Sequence, residues 1–270
     1  MRPRVRPKKR LSQNFMTSAS DLAAVADALN IEPGEEVLEI GPGAGALTRE
    51  LLGRGARVFA VERDASLTAS LKENFKDAPL RVVSKDILRL TSEQEPALRG
   101  PLKAAGNIPY HITSPIIEWL IAQRAGVSLA VLTVQWEVAR RLSAKPGGKD
   151  WGSLSVFLQF YADVEFLRKI DKSHFYPAPK VDSGVIRLRF LKTPRFALSD
   201  EERFFSLVRR AFQKRRKTLL NALADENSAI LSKKSLSETL SRLPIDARRR
   251  PETLSLQEWA DLSEALGSPS

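Results

Sequence analysis

The chain has 270 residues, 43% of them apolar, which is enough for a substantial hydrophobic core in one large and one smaller domain. Its 43 lysines and arginines outnumber 32 acidic residues, and the formal charge of +11 favours a polyanionic partner such as RNA, although a basic enzyme that binds no nucleic acid remains the alternative. The absence of cysteine excludes disulfides, thiolate zinc sites and cysteine nucleophiles. No apolar run approaches the roughly 20 residues that span a bilayer, and no secretory pattern follows the basic N-terminus, so we expect a cytoplasmic protein without a membrane role.

Helices and strands are predicted to alternate between residues 18 and 192. The first ten residues instead hold six basic side chains and two prolines, so residues 1–17 are interpreted as a separate basic arm. Strands that alternate with helices favour the α/β class, with a mainly parallel sheet covered by helices on both faces. The apolar patterns predict strands at 36–40, 57–62, 80–84, 102–106 and 129–135, helices at 18–29, 47–52, 65–74, 114–124 and 137–142, and two closing apolar stretches at 155–161 and 185–191.

A smaller, helical domain is predicted to follow a linker. Residues 193–200 contain a proline and little apolar content, and Ser199 or Asp200 can cap the next helix. The sequence therefore predicts a domain at 18–192 and a second, entirely α-helical domain at 198–270. Within the second domain the apolar spacing is helical over 201–223, 234–243 and 256–266.

A glycine-rich turn after the first predicted strand indicates a nucleotide-like cofactor. Gly41 and Gly43 precede a helix, and such glycines allow the backbone to approach a ligand closely. Glu62 ends the next strand, 21 residues after Gly41, where a carboxylate can accept hydrogen bonds from both ribose hydroxyls. Asp86 ends the third strand and can accept from an adenine amine, with Ile87 against the ring. These residues predict an adenosine-type cofactor and leave open whether it is a dinucleotide or S-adenosylmethionine.

The tetrapeptide Asn107-Ile108-Pro109-Tyr110 follows the fourth strand and is a more specific signal. The lone pair of an adenine N6 amine is delocalised into the ring, which makes the nitrogen a poor nucleophile. The Asn107 side-chain oxygen and the Ile108 carbonyl can both accept from this amine, favour a pyramidal nitrogen and aim its lone pair at a methyl donor. Pro109 stiffens the turn, and Tyr110 offers a face to an adenine that has left its stack. Phe175, in a proline-rich segment, is the candidate second stacking platform.

Basic residues cluster in the predicted helical domain. When 204–223 is drawn as one helix, its cations fall opposite an apolar face and have no acidic partner among them, which favours contact with phosphates over a merely solvated face. Arg215 falls within the apolar arc and is expected to be paired, or to extend its charged end to the surface, rather than to contact RNA. The two histidines, His111 and His174, are too few and too isolated for a metal centre, so no metal is expected. The candidate RNA-binding residues are Arg209, Arg210, Lys214, Arg216, Lys217, Arg248 and Arg249.

Together these motifs resemble the small-subunit (16S) ribosomal RNA adenine dimethyltransferase family, the dimethyladenosine transferases associated with kasugamycin sensitivity. The resemblance covers nearly the whole chain, including LPID at 243–246 and RPETL at 250–254. Two departures are Met16, where the family usually has leucine, and Trp136, where a lysine is common. The other matching segments are KRLSQNFM at 9–16, EIGPGAGALT at 39–48, VERD at 61–64, SKDI at 84–87, GNIPY at 106–110, FYPAPKVDS at 175–183 and AFQKRRKTLLNAL at 211–223.

The resemblance implies a Rossmann-like S-adenosylmethionine-dependent methyltransferase sheet with a small all-α C-terminal domain. It implies that S-adenosylmethionine is the cofactor and that Tyr110 and Phe175 sandwich the flipped adenine. Family members dimethylate two adjacent adenosines in a hairpin near the 3′ end of small-subunit rRNA, within an immature 30S-type particle, and the C-terminal helices help to dock there. The residues implied at the cofactor are Gln13, Asn14 and Met16, which fold over it, and Gly41, Gly43, Glu62, Asp86, Ile87 and Asn107.

Three alternatives remain at this point, and a monomer is the expected oligomeric state. The first is a non-catalytic assembly factor that binds immature small subunits. The second is the related class that modifies adenine N6 in large-subunit rRNA, because its motifs are shared. The third is a nicotinamide-dependent oxidoreductase, which leaves the tetrapeptide and the basic residues unexplained.

Overall fold

The computed structural model describes residues 13–225, 228 and 230–267, so most of the predicted basic arm lies outside the described residues. Contacts divide the described chain into two compact units. The first contains the residues up to Arg140 and Asp163–Lys192, and the second contains Arg141–Ala162 and the residues from Thr193 onward. The segment 141–162, expected in the first domain, therefore clusters with the second unit.

The first unit alternates strands and helices, as predicted. The strands predicted at 36–40, 57–62 and 80–84 and the helix at 65–74 are confirmed to the residue. The strands are β1 (Phe15–Met16), β2 (Glu36–Ile40), β3 (Arg57–Glu62), β4 (Leu80–Ser84), β5 (Leu102–Asn107), β6 (Val127–Gln135), β7 (Ala162–Ile170), β8 (Phe175–Tyr176) and β9 (Ser183–Phe190). The helices are α1 (Ala19–Asp27), α2 (Ala46–Gly53), α3 (Ala65–Asn74), α4 (Thr113–Ala122) and α5 (Trp136–Leu142).

Seven of these strands form one mostly parallel sheet in the order β4-β3-β2-β5-β6-β9-β7, and β1 pairs separately with β8. The pairs from β4 to β6 are parallel, whereas β9 is antiparallel to β6. The chain runs outward from β2 to β4 and then returns to the other side of β2, so the strand order reverses between β2 and β5. In such sheets ligands bind outside the carboxyl ends of the strands at this reversal. The predicted α/β class is confirmed.

The central strands are buried because their side chains are apolar on both faces. Val37, Leu38, Val58 and Phe59 are all at most 2% exposed, as expected for a parallel sheet covered by helices. Strand β7 was not predicted, because its charged residues hide the apolar alternation. It lies at the sheet edge, where charged residues discourage pairing with another chain.

The second unit is helical and includes a segment that the sequence placed elsewhere. The stretch predicted to close the first domain forms a helix because the ring of Phe160 packs on Phe204 and Phe205, and the Tyr161 hydroxyl donates to Glu201 at 2.5 Å. The helices are α6 (Ser153–Tyr161), α7 (Glu201–Gln213), α8 (Leu219–Leu223), α9 (Lys233–Ser241) and α10 (Leu256–Gly267).

The single helix predicted over 201–223 is wrong. Helix α7 ends at Gln213, and α8 begins at Leu219 with Thr218 as its cap. Residues 214–217 are four consecutive cations, so this stretch offers no apolar side chain to bury. The Thr218 hydroxyl, which accepts from the backbone N–H of Asn221, favours a new helix start at this point.

Candidate active site

The carboxyl ends of four parallel strands meet at one edge of the sheet. Ile40 is in register with both Val61 and Gly106, and Asn107 is in register with Thr133. The residues that follow β2, β3, β4 and β5 therefore line up around a cavity of about 780 Å³. All nine residues expected at a cofactor, and the whole tetrapeptide 107–110, line this cavity. Phe175 is not among the lining residues.

The glycine turn lies directly beneath the strand that precedes α1. Gly43 has a φ of +60°, and a Cβ built there would lie 2.8 Å from the Phe15 ring. Only glycine therefore allows Phe15 to pack on the turn without a shift. Sequence reasoning placed Asn14 and Met16 near a cofactor but overlooked Phe15. The signal available was an aromatic residue between two proposed contact residues.

Glu62 bridges the glycine turn and the next helix. Its carboxylate accepts from the backbone N–H of Gly43 at 3.0 Å and from that of Asp64 at 2.8 Å. Burial raises the pKa of Glu62, and these two backbone hydrogen bonds oppose the rise. The side chain is thus fixed at the cavity wall and presents acceptors there. Asp64, which sequence reasoning did not single out, also accepts from Gln13 Nε2 at 3.4 Å.

Glu39 is a second buried carboxyl group beside the glycine turn. It is 1% exposed, and the Thr48 hydroxyl donates to it at 2.6 Å. Burial, and to a smaller extent the nearby charge of Glu62, raise the pKa of Glu39 to about 8, against the opposing hydrogen bond from Thr48. With a pKa of about 8, Glu39 keeps its proton at neutral pH.

Replacing Glu39 with glutamine is expected to flatten the pH dependence of the free energy of unfolding. The folded chain keeps this proton up to a pKa of about 8, whereas an ordinary glutamate loses it near 4.5. Each pH unit between these values therefore lowers the free energy of unfolding of the natural chain by about 1.4 kcal/mol. Urea unfolding at several pH values in this window measures the slope.

The matched control for this experiment is Glu73→Gln on the exposed face of α3. It should reproduce the pH slope of the natural chain, because Glu73 is exposed and the substitution leaves the buried carboxyl group of Glu39 unchanged. A Glu39→Gln chain that loses stability toward pH 8 as steeply as the control would contradict the assignment of the buried proton to Glu39.

Asp86 and Ile87 form another part of the cavity wall. Asp86 caps a short helical turn, Ile87–Arg89, by accepting from the backbone N–H of Leu88 at 3.2 Å. Its second carboxylate oxygen lies 3.7 Å from Arg63. Ile87 is buried and faces the same cavity. An acceptor and an apolar side chain side by side suit the edge and the face of a purine ring.

The tetrapeptide is held on both sides. The Asn107 amide nitrogen donates to the Asn14 carbonyl at 2.7 Å, which fixes the orientation of the amide. The Ile108 N–H donates to the Thr133 carbonyl at 3.0 Å. In the part of the chain that the structure describes, Asn107 Oδ1 has no hydrogen-bond donor recorded, so this oxygen is left to accept from a ligand. A Cβ on Gly106 would lie 2.8 Å from the Ile40 carbonyl, which explains the glycine before Asn107.

The two aromatic residues proposed to stack a base differ in their surroundings. Tyr110 lines the cavity, and its hydroxyl pairs with the Ser183 hydroxyl at 2.8 Å. Burial raises the pKa of Tyr110, and this hydrogen bond opposes the rise. Phe175 is 4% exposed and packs in the hydrophobic core beside Met16, its partner in the β1–β8 pairing. The stacking role of Phe175 stays a prediction.

The cations of the second unit fall into two groups. Arg210 donates to the carbonyls of Leu223 and Ala224 and pairs with Asp225 at 3.0 Å, and Arg249 pairs with Glu258. Arg248 is exposed and pairs with Asp246 at 3.1 Å. Arg215 donates to two carbonyls of residues 149–151, so its predicted pairing is confirmed. The exposed cations of α7 and the following turn are Arg209, Lys214, Arg216 and Lys217.

Among the described residues, no three His, Asp or Glu side chains are arranged to hold a metal ion. Over the same residues, every helix is too short or too polar to cross a membrane.

Comparison with known proteins places this geometry in a family. Residues 4–266 match the family described as ribosomal RNA adenine dimethylase. The chain is 41% identical to ribosomal RNA small subunit methyltransferase A of Moorella thermoacetica, over 96% of this chain and 92% of the relative. It is 42% identical to the protein of the same name from Myxococcus xanthus, over 97% and 92%.

A solved structure supports the same placement. The crystal structure of the 23S rRNA methyltransferase ErmE is similar to this chain with a TM-score of 0.73 and 29% identity, over 94% of this chain and 100% of that one. The family match extends over both compact units. The residues expected at the cofactor and the tetrapeptide 107–110 line one cavity. The chain therefore belongs to the ribosomal RNA adenine dimethylase family.

Proposed function

We propose that the protein transfers methyl groups from S-adenosylmethionine to the N6 amines of two adjacent adenosines near the 3′ end of small-subunit rRNA. The observation that carries this proposal is the fixed amide of Asn107. Its nitrogen is engaged by the Asn14 carbonyl, so its oxygen is presented to the cavity as an acceptor. An acceptor at this place suits a substrate that carries N–H groups, such as the amine of an adenine.

The cavity fits an adenosine-containing methyl donor. A Cβ built on Gly41 meets nothing within 4 Å, so there is open space beside the turn for a ligand. Glu62 can accept from ribose hydroxyls, and Asp86 can accept from an adenine amine while Ile87 packs on the ring. When bound, S-adenosylmethionine supplies an electrophilic methyl group at its sulfonium.

The protein supplies orientation, with no strong base. In the first transfer Asn107 Oδ1 and the Ile108 carbonyl accept the two N–H groups of the target amine, which draws its lone pair out of conjugation with the ring. The methylated amine releases its excess proton to water, and the one N–H that remains is accepted by one of the two oxygens in the second transfer. The Ile108 peptide is fixed to β6 through Thr133, and the ring of Pro109 fixes its own φ, which stiffens the turn. Tyr110 gives the unstacked base an aromatic face, positioned by its hydrogen bond to Ser183. Preorganised acceptors of this kind lower the barrier because they need not reorient during the reaction.

Small-subunit rRNA is favoured over large-subunit rRNA by the pattern of relatives. Identity is 41% and 42% to two proteins named small subunit methyltransferases, and 29% to a 23S rRNA methyltransferase. The substrate we propose is the hairpin within an immature 30S-type particle, reached in the cytoplasm by a monomer. The exposed cations at 209, 214, 216 and 217 support contact with its phosphates.

Reversing the charges of Lys214 and Lys217 to glutamate is expected to weaken particle binding by at least about tenfold. Each lost phosphate contact should also reduce the slope of log affinity against log salt by about 0.7–0.9. Binding of the purified chain to undermethylated small subunits, measured at several salt concentrations, tests both effects. The matched control reverses Lys72 and Lys76 near the end of α3, which are equally exposed. A salt slope that is the same in both double variants would contradict the assignment of this surface to RNA.

The proposed reaction is tested by mapping its products. The chain is incubated with undermethylated small subunits and labelled S-adenosylmethionine, and the rRNA is digested and analysed by mass spectrometry. Dimethylation of two neighbouring adenosines near the 3′ end is the expected result. Particle binding without any methyl incorporation would instead support an assembly factor that uses the fold as a scaffold, and label in large-subunit rRNA alone would support the related class.

A further inference from the structure

A buried carboxylate in α1 has two charged or chargeable partners on other elements. Asp21 is 1% exposed. One of its oxygens lies 2.6 Å from His174 Nδ1, and the other lies 3.1 Å from the guanidinium of Arg168 in β7. A buried carboxylate without partners is strongly unfavourable, so this arrangement binds three elements of the first unit together. His174 Nδ1 can donate to Asp21 in its neutral or its protonated form.

His174 also holds the segment that precedes α1. Its carbonyl accepts from the backbone N–H of Thr17 at 2.8 Å and from the Thr17 hydroxyl at 3.0 Å. The next residue, Phe175, is in register with Met16 in the β1–β8 pairing. Strands β1 and β8 together form a two-stranded ribbon. His174 therefore links Asp21, which its imidazole contacts, to both strands of this ribbon.

The other end of β1 reaches the reaction site. Phe15 packs on Gly43, and the carbonyl of Asn14 accepts from the side chain of Asn107 at 2.7 Å. Residues 13–17 line the cavity as its cover. The ribbon has only two residue pairs, Phe15 with Tyr176 and Met16 with Phe175, so pairing between its strands fixes its position only weakly, and core packing of Met16 and Phe175 and contacts at its ends must add to it. The contact of His174 with Asp21 is one such anchor, and neither of these two residues lines the cavity.

We propose that Asp21 and His174 are positioning residues for methyl transfer. They hold residues 13–17 over the cavity and thereby keep the Asn14 carbonyl where it orients the Asn107 amide. Neither side chain touches the reacting atoms. This inference rests on the proposed function and adds to it the contact that holds residues 13–17 over the cofactor site.

The test compares His174→Ala with His174→Asn, whose amide nitrogen is bonded to Cγ as Nδ1 of histidine is and can still donate to Asp21. Calorimetry with S-adenosylhomocysteine measures cofactor affinity, and single-turnover methylation of undermethylated small subunits measures the rate. Hydrogen exchange of residues 13–17 in the ligand-free chain measures how often this segment opens. His174→Ala is expected to weaken binding and to slow transfer by about tenfold each, the scale of losing one hydrogen bond to a charged group. His174→Asn should recover most of both losses.

The matched control is Lys172→Ala, an exposed residue of the same short turn, Lys172–His174. Backbone amides of the central strands should stay protected from hydrogen exchange in every variant. This result separates a positioning role from general destabilisation. Unchanged affinity, rate and exchange in His174→Ala would overturn the inference, and so would loss of protection throughout the first unit. If the natural chain itself failed to bind S-adenosylhomocysteine, the proposed function would fail first and the inference with it.

Discussion

Replacing Asn107 with alanine is expected to lower the rate of methyl transfer by about 100- to 1000-fold, the scale seen when one preorganised hydrogen-bonding group is removed from a reaction centre. The variant loses the oxygen that accepts from the target amine and also frees the Asn14 carbonyl. RNA affinity should change by less than about twofold, because the phosphate contacts are proposed to lie on other residues. Single-turnover methylation and equilibrium binding, both on undermethylated small subunits, measure the two quantities.

Asn221→Ala, on the exposed side of α8, is the matched control for this experiment. It removes an identical amide far along the sequence from the tetrapeptide and should leave the rate unchanged. Asn107→Asp is a sharper companion variant, because it keeps the size of the side chain but replaces the donor to Asn14 with an oxygen. Equal turnover by the natural chain and Asn107→Ala would refute the role assigned to Asn107.

Replacing Glu62 with alanine is expected to weaken cofactor binding by roughly 10- to 100-fold, since hydrogen bonds to a charged acceptor are each worth about 1.5–3 kcal/mol. The carboxylate also accepts from the backbone N–H groups of Gly43 and Asp64. Its loss therefore removes the proposed ribose acceptor and loosens the glycine turn together. Calorimetry with S-adenosylhomocysteine measures the effect, and methylation at saturating cofactor should recover much of the lost rate.

Glu73→Ala provides the control, because Glu73 is an exposed glutamate on α3 that does not line the cavity. It should bind S-adenosylhomocysteine as the natural chain does. If Glu62→Ala bound S-adenosylhomocysteine as tightly as this control, the ribose would have to be held by other residues, and the assignment of Glu62 would be wrong.

The catalytic unit was largely predictable because its signals are local. Strands with apolar centres, such as 36–40 and 57–62, are followed by glycine or end at a carboxylate, and the carboxyl ends of parallel strands necessarily meet at one edge. The convergence of Gly41, Glu62 and Asn107 on one cavity follows from that rule. The register of the strands supplies the only long-range information that this part of the site requires.

The remaining features depend on contacts between residues far apart in sequence. The stretch 155–161 has the apolar content of a strand or of a buried helix, and only its packing on Phe204 and Phe205 decides for the helix. Strand β7 carries charged side chains, which suit the edge of a sheet. These charges weaken the alternation of apolar and polar residues by which a strand is predicted. The link of Asp21 to His174 spans 153 positions, and no local pattern announces it. Arg210 was predicted to face RNA, but its guanidinium bonds the end of α8, a contact that only the break in the helix creates.

The central claim is that Asn107 Oδ1 and the Ile108 carbonyl together hold the target amine. The most direct measurement is a crystal structure of the chain with S-adenosylhomocysteine and an RNA hairpin whose target adenosine is unmethylated. In that complex we expect both oxygens to lie about 3 Å from adenine N6, with the Asn107 nitrogen still donating to the Asn14 carbonyl. An adenine bound in the cavity with its amine bonded elsewhere, or Asn107 turned away from it, would refute the role of these two oxygens.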